Sequence, residues 1–278
     1  EDEDSLTERF RKKSRSGLAK IAVIRLPRIS NFTDIAPLEA VDELDVSYVS
    51  NISQFGDPDV VIIPGSKNTI SDLLWMRQNG LEGKILRHAA KGGIVFGICG
   101  GYQMLGQSIS DPTGAEQKGT VRGMGLLPVT TVFEQEKRRT RVSGRFAKVG
   151  GALAEMSGVC YEGYEIHMGR TVLSKGTVPL VYMEEEGEQR QDGAQSDHVY
   201  GCYMHGIFDM SETVKTFLAA VLRKKGIDPS KITVRDRNAY KEEQYDRLAS
   251  IVRENLNMEA VYKIIEKGNE ASCSLLSE

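Results

Sequence analysis

The stretch GGIVFGICGGYQMLG, residues 92–106, decides how this chain is read. Its first half is a short apolar run, the pattern of a strand buried on both faces. Its second half, YQMLGQSI behind Gly100 and Gly101, reads as a helix. Between the two stands Cys99. A cysteine on a tight strand-to-helix bend follows the physical logic of the nucleophile elbow, although the G-x-S-x-G pattern itself is absent. Gly97, Gly100 and Gly101 permit strained dihedrals and let other backbone approach the sulfur. The helix N-terminus behind the thiol favours the anion. Buried cysteines are commonly inert packing residues, but this context makes Cys99 a candidate nucleophile.

Working outward, apolar runs at 20–26, 45–50 and 59–63 join 93–98 as expected strands, with helices expected at 34–44, 68–79 and 81–91. Strands alternating with helices imply a parallel sheet wrapped on both faces. Beyond residue 125 the pattern changes. Residues 126–133, 140–148, 159–167 and 178–183 read as shorter antiparallel strands beside the main sheet, separated by polar loops such as EEEGEQRQDGAQSD, 184–197. A strand at 198–204 and a helix at 211–225 follow, and 239–266 is strongly helical in its spacing of tyrosine, leucine and isoleucine. The expectation is an α/β fold: a mostly parallel sheet flanked by helices on both faces, with additional antiparallel strands and a C-terminal helix. Residues 20–228 are expected to form one domain, and 229–278 a helical extension packing on it.

The 278 residues are 40% hydrophobic and 27% charged, with a formal net charge of −3, which fits a globular enzyme. That charge provides no general attraction to nucleic acid or anionic membrane, and no apolar stretch approaches the roughly 20 residues that span a bilayer. Cytoplasm is the expected location. Four cysteines, at 99, 160, 202 and 273, contain no CxxC pair, so neither a disulfide framework nor a metal site is suggested. The opening EDEDSLTERFRKKSRSG, an acidic block followed by a basic one, reads either as a disordered start or as a connector from an upstream domain.

A cysteine nucleophile needs a base, and the chain has four histidines: 88, 167, 198 and 205. His88 lies within a polar helix and His198 at a strand start. His205 stands at the C-terminal end of an expected strand, on the sheet edge where Cys99 also emerges and where ligands bind in open α/β sheets. His205 is therefore the favoured base. Glu165 and His167 share one face of a strand, either as a surface ion pair or as part of the pocket. The turn Pro64-Gly65-Ser66 ends the strand before that of Cys99. Backbone N–H at Gly65 or Ser66, with that of Gly100, would make an oxyanion hole; a plain tight turn is the other reading. PGSKNT, 64–69, lacks the G-x-x-x-x-G-K-[ST] phosphate loop, so no nucleotide site is expected here.

GICGGYQMLG, IIPGSKNT and YGCYMHGIFD together resemble the class I, triad-type glutamine amidotransferases. IAVIRLPRISNFTDIAPLEA, GYEIHMGRT and MHGIFD look more closely like the C-terminal half of the cobyric acid synthase family, from about Lys20 to the last helix. The resemblance implies Cys99 as nucleophile, His205 as its partner, Gly65, Ser66 and Gly100 around the oxyanion, and Gln103 holding the substrate glutamine. It implies that Glu165 and His167 shape or close the site. It also implies an N-terminal ATP-dependent synthetase domain in the same polypeptide, holding ATP and Mg2+ and presenting a corrinoid substrate, with residues 1–19 as the linker from it. No cofactor is expected in the present chain. Triad enzymes of this class carry glutamate two residues after the histidine, where this chain has Ile207; Asp209 and Glu165 are the substitutes the sequence offers. Other readings are a sister amidotransferase acting on cobyrinic acid or a cell-wall lipid, and a non-enzymatic relative of the fold.

Overall fold

Aliphatic runs that are buried along their whole length form the centre of the molecule. The computed structural model describes residues 17–185, 188–231 and 237–274; the expected linker at 1–19 lies almost wholly outside them. In chain order, β1 (Ala19–Ile24), β2 (Ile29–Ser30), α1 (Ala36–Glu39), β3 (Leu44–Val49), β4 (Val60–Ile63) and β5 (Gly65–Ser66) come first. Next are α2 (Thr69–Gln78), α3 (Leu81–Ala90), β6 (Ile94–Ile98) and α4 (Gly100–Leu105). The chain continues through β7 (Ser108–Asp111), β8 (Gly119–Arg122), β9 (Val129–Phe146), β10 (Cys160–Leu173), β11 (Val181–Glu185) and β12 (Glu188–Asp192). Then β13 (Ala194–Ser196), β14 (Val199–Cys202) and α5 (Ser211–Lys224) complete this unit.

The main sheet has the order β13-β14-β6-β4-β1-β3 and is parallel except for the β13–β14 hairpin. Every residue of β4, β6 and β14 is buried, which is why these strands read as continuous apolar runs rather than alternating ones. The β1-to-β3 step crosses the sheet in the opposite direction from the β4-to-β6 step. Right-handed crossovers therefore place α1 and the α2–α3 pair on opposite faces. β14 pairs with β6 so that Cys202 lies opposite Ile98. Both chains leave the sheet at this one edge, and the residues that follow them are Cys99 and Tyr203.

A second sheet, β12-β11-β9-β7-β8 with β10 on β9, holds most of the additional strands. It differs from expectation in three ways. The two short strands expected at 126–133 and 140–148 are one strand, β9, because β10 pairs along it with a single register shift between Met168 and Arg170. The polar segment 184–197 is not a loop: β12 pairs with β11 and β13 with β14, and its polarity reflects charged side chains that enter the site region. The helix after Cys99 stops at Leu105, where Gly106 turns extended and β7 begins.

The expected helix 34–44 is also shorter. A 3-10 turn at Phe32–Ile35 leads into the four-residue α1, with Pro37 in its first turn. Asp34 in that turn points inward and is buried. Residues 235–278 make a separate compact unit. It consists of α6 (Arg237–Asn255) and α7 (Met258–Ser274), so the long helix expected at 239–266 is two. Asn257 separates them and caps the second, its Oδ1 accepting from the Ala260 N–H at 3.1 Å. No helix among the described residues is long and apolar enough to cross a membrane.

Candidate active site

Cys99 occupies the bend between β6 and α4 with φ 52° and ψ −108°. For a residue with a side chain this backbone is strained by about 1–3 kcal/mol, and such strain persists where the surroundings over-determine it. Packing enforces it. A Cβ on Gly101 would stand 2.0 Å from the Ile63 carbonyl oxygen, so only glycine lets α4 lie directly on the end of β4. The Cys99 N–H donates to the Cys202 carbonyl at 2.9 Å, which ties the elbow to the neighbouring strand. The thiol is nearly buried and donates to the Ile166 carbonyl at 3.7 Å.

His205 follows β14 by three residues and is fully buried. Its backbone exchanges both hydrogen bonds with Tyr164 of β10, at 2.9 and 3.1 Å, and the Tyr164 ring stacks on the imidazole at 5.2 Å. Gly163 permits this pairing, since a Cβ there would stand 2.2 Å from the His205 carbonyl oxygen. The second sheet thus clamps the imidazole from one side. On the other, Asp34 Oδ2 lies 2.7 Å from His205 Nδ1, and its Oδ1 accepts the Gly206 N–H at 2.8 Å. One carboxylate therefore fixes both the histidine ring and the backbone N–H of the glycine that follows it.

Burial alone would lower the imidazole pKa. The hydrogen bond to Asp34, the interaction with Cys99 and the charges of both outweigh it and lift His205 to about 10. Its Nε2 has no hydrogen-bond partner. Thiol and imidazole thus act on each other while the thiol's own bond points to Ile166, and catalytic contacts of this kind often tighten only with substrate bound. The third member of the constellation is Asp34, not Asp209 or Glu165. It lies 171 residues from the histidine it holds.

Gly65, Ser66 and Gly100 converge on this elbow. A Cβ on Gly65 would stand 3.2 Å from His205 Cε1, and one on Gly100 would stand 3.0 Å from the Ser66 nitrogen. The Ser66 hydroxyl is committed elsewhere, donating to Asp72 at 2.7 Å and accepting the Asn68 N–H at 3.0 Å. Gln103 is buried on α4; its Nε2 donates to the Met168 carbonyl at 3.1 Å and to the Tyr203 hydroxyl at 3.0 Å, and its Oε1 accepts from Thr69 at 3.2 Å.

Glu165 and His167 lie on the same face of β10, and Glu165 is wholly buried. Its Oε2 is 2.5 Å from Arg190 and 3.1 Å from Arg138, and its Oε1 is 3.8 Å from His167 Nε2. Burial would raise this carboxyl, yet the neighbouring His167 and the guanidinium charges of Arg190 and Arg138 hold it below the usual carboxylate range. His167 stacks face to face on Tyr203 at 3.7 Å. Arg138, His167, Arg190 and Tyr203, with Arg170 and Asp192, line a polar cavity of about 590 Å³ beside the buried Glu165. They brace the strand whose neighbouring residues hold His205 and receive the Cys99 thiol.

A thiol on a strained elbow, a carboxylate-held imidazole and converging backbone meet at one edge of an open parallel sheet. Residues 20–213 match the CobB/CobQ-like glutamine amidotransferase domain, and the chain belongs to that family. It is 53% identical over 274 residues to a cobyric acid synthase of Ruminiclostridium cellulolyticum, covering 97% of this chain and 53% of that protein. It is 44% identical to a cobyric acid synthase of Lachnoclostridium phytofermentans, covering 96% of this chain and 54% of that protein. The chain spans about half the length of these curated relatives. The fold is shared with PurLQS of Thermotoga maritima, at a TM-score of 0.55 and 18% identity over 74% of this chain and 99% of that one. A second crystal structure, of a glutamine amidotransferase, gives 0.52 and 16% with the same coverage.

Proposed function

We propose that this chain is the glutaminase half of a cobyric acid synthase. The observation that carries the chemistry is His205 fixed through Nδ1 by Asp34, with the Cys99 thiol acting on the same imidazole. The Cys99 thiolate adds to the carboxamide carbon of glutamine. Backbone N–H groups at Gly65 or Ser66 and at Gly100 stabilise the oxyanion as it forms. His205, as imidazolium, protonates the departing nitrogen, and ammonia leaves. Water deprotonated by His205 then hydrolyses the glutamyl thioester to glutamate, and Gln103, Glu165 and His167 shape the pocket around these steps.

The ammonia is consumed outside this chain. Identity to cobyric acid synthases about twice as long as this chain supports an N-terminal synthetase domain of the same polypeptide as the consumer, and the cytoplasm is the location proposed for both. There ATP with Mg2+ would activate peripheral carboxylates of adenosylcobyrinic acid a,c-diamide for amidation. The direct test is covalent labelling by a glutamine-analogue electrophile, followed by peptide mapping. Modification confined to Cys99 supports the reading, and a chain that resists labelling and releases no glutamate refutes it.

A further inference from the structure

One of the groups packed on His205 has no role in the steps above. Asp34 engages Nδ1, and the Cys99 thiol acts on the ring from the elbow. Tyr164 instead covers a face of the imidazole, with ring centroids 5.2 Å apart and planes inclined by 25°. Backbone geometry dictates this stack. Tyr164 and His205 form an antiparallel bridge in which both hydrogen bonds are made, and residues directly opposite in such a pair project to the same side. Any side chain at position 164 therefore lies beside the imidazole, and an aromatic one lays its ring upon it. The bridge itself depends on Gly163 and on backbone atoms alone.

The charge balance gives the ring a consequence beyond packing. His205 is fully buried, and burial opposes its charged form. The titratable groups that face it are Asp34 from the 3-10 turn, Cys99 from the elbow, Tyr164 from β10 and Asp209, whose Oδ2 is 3.1 Å from where a Cβ on Gly206 would stand. Glu165, next along β10, projects to the opposite face. An aromatic face carries partial negative charge and attracts a cation within about 6 Å of its centroid, most strongly where water is excluded. The Tyr164 ring meets that distance. Burial, then the charges of Asp34 and Cys99, hold its hydroxyl above the usual tyrosine range, so it keeps its proton where an ordinary tyrosine begins to lose one.

We propose that Tyr164 is a positioning residue for the glutaminase reaction, its ring face orienting the His205 imidazolium and favouring the charged form that protonates the leaving nitrogen. The inference rests on the glutaminase reading and deepens it, and its first measurement needs no turnover. Histidine labelled with nitrogen-15 gives side-chain signals only from His88, His167, His198 and His205, so the His205 midpoint can be titrated by NMR. Tyr164→Leu keeps apolar bulk and the backbone bridge but removes the aromatic face, and should lower that midpoint by roughly 0.5–1.5 pH units. Tyr164→Phe keeps the face and should stay within about 0.3 units of the wild type. In steady-state glutaminase assays of the full-length polypeptide, the alkaline limb of the kcat/KM profile should move to lower pH by the same amount in Tyr164→Leu, with the acid limb fixed, and return in Tyr164→Phe. A midpoint unmoved in Tyr164→Leu, or moved equally in Tyr164→Phe, overturns the inference and leaves glutaminase activity standing. Should Tyr164→Leu fail to fold, a trifluorinated phenylalanine at 164 keeps the shape and cancels the negative face; an unmoved midpoint there overturns the inference as well. Absence of glutamate release from the wild type would remove the glutaminase reading and the positioning role with it, whatever the NMR midpoints.

Discussion

Among the described residues two imidazole–carboxylate pairs, His205–Asp34 and His167–Glu165, are built on opposite principles. In the first, one carboxylate serves one histidine at 2.7 Å, and a thiol acts on the same imidazole. In the second, the carboxylate is shared with Arg138 and Arg190, and its histidine stands off at 3.8 Å with its ring stacked on Tyr203. The first pair is poised to move a proton; the second is neutralised by surrounding charge and holds two elements together. Burial and ionisable chemistry alone do not separate a base from a brace. The distribution of the partner's remaining bonds does.

The most severe way to break the comparison is at the thiol that only the first pair serves. Cys99→Ala should lower glutamine-dependent glutamate release by about 10⁴-fold or more, while ammonia-dependent synthesis by the full-length polypeptide survives. Loss of both activities would contradict the division of labour. Next in size is the carboxylate of the first pair. Asp34→Asn keeps the shape but removes the charge that raises and orients His205, and should cost about 10²–10⁴-fold in kcat with little change in KM, read by steady-state glutaminase kinetics. An effect no larger than that of Glu165→Gln would erase the distinction.

Glu165→Gln should act on stability instead. It leaves two guanidiniums without their shared counter-charge, at a cost of about 2–4 kcal/mol, tempered because both are partly exposed. Urea unfolding measures this, and kcat per folded molecule should change by less than about 10-fold. The pairs should also fail at opposite ends of the pH scale. His205 is raised in the folded state, so its contribution is complete below an unfolded pKa near 6.5 and is lost as pH rises through about 10. Glu165 is lowered, so its contribution is present above an unfolded value near 4.5 and is lost as pH falls through its folded value. Urea midpoints measured across pH should lose the alkaline decline in Asp34→Asn and part of the acid decline in Glu165→Gln.

Local signals announced the half of the site carried by single elements. The strand–Cys–Gly–Gly–helix pattern marked Cys99, and a histidine at a strand end marked His205, because sheet order brings both to one rim. Asp34 is visible only as a residue within PRISNFTDIAPLEA, whose segment reads as the start of a helix, and the carboxylates the sequence offers instead are Asp209, near His205, and Glu165, on β10. Arg190 and Asp192 sat in a stretch whose polarity imitated a loop.

By itself the sequence determined the layered α/β architecture, the sharp elbow and which thiol and imidazole come to one rim, because hydrophobic periodicity and glycine placement act within a few residues of the groups they govern. Tertiary structure decided which carboxylate holds the imidazole, that Glu165 is a brace, and that two short strands are one long one. Those outcomes depend on contacts between segments far apart in the chain, His205 and Asp34 being separated by 171 residues. Such pairings are selected by how whole sheets pack and by where buried charge finds compensation, and neither leaves a pattern in the residues immediately around it.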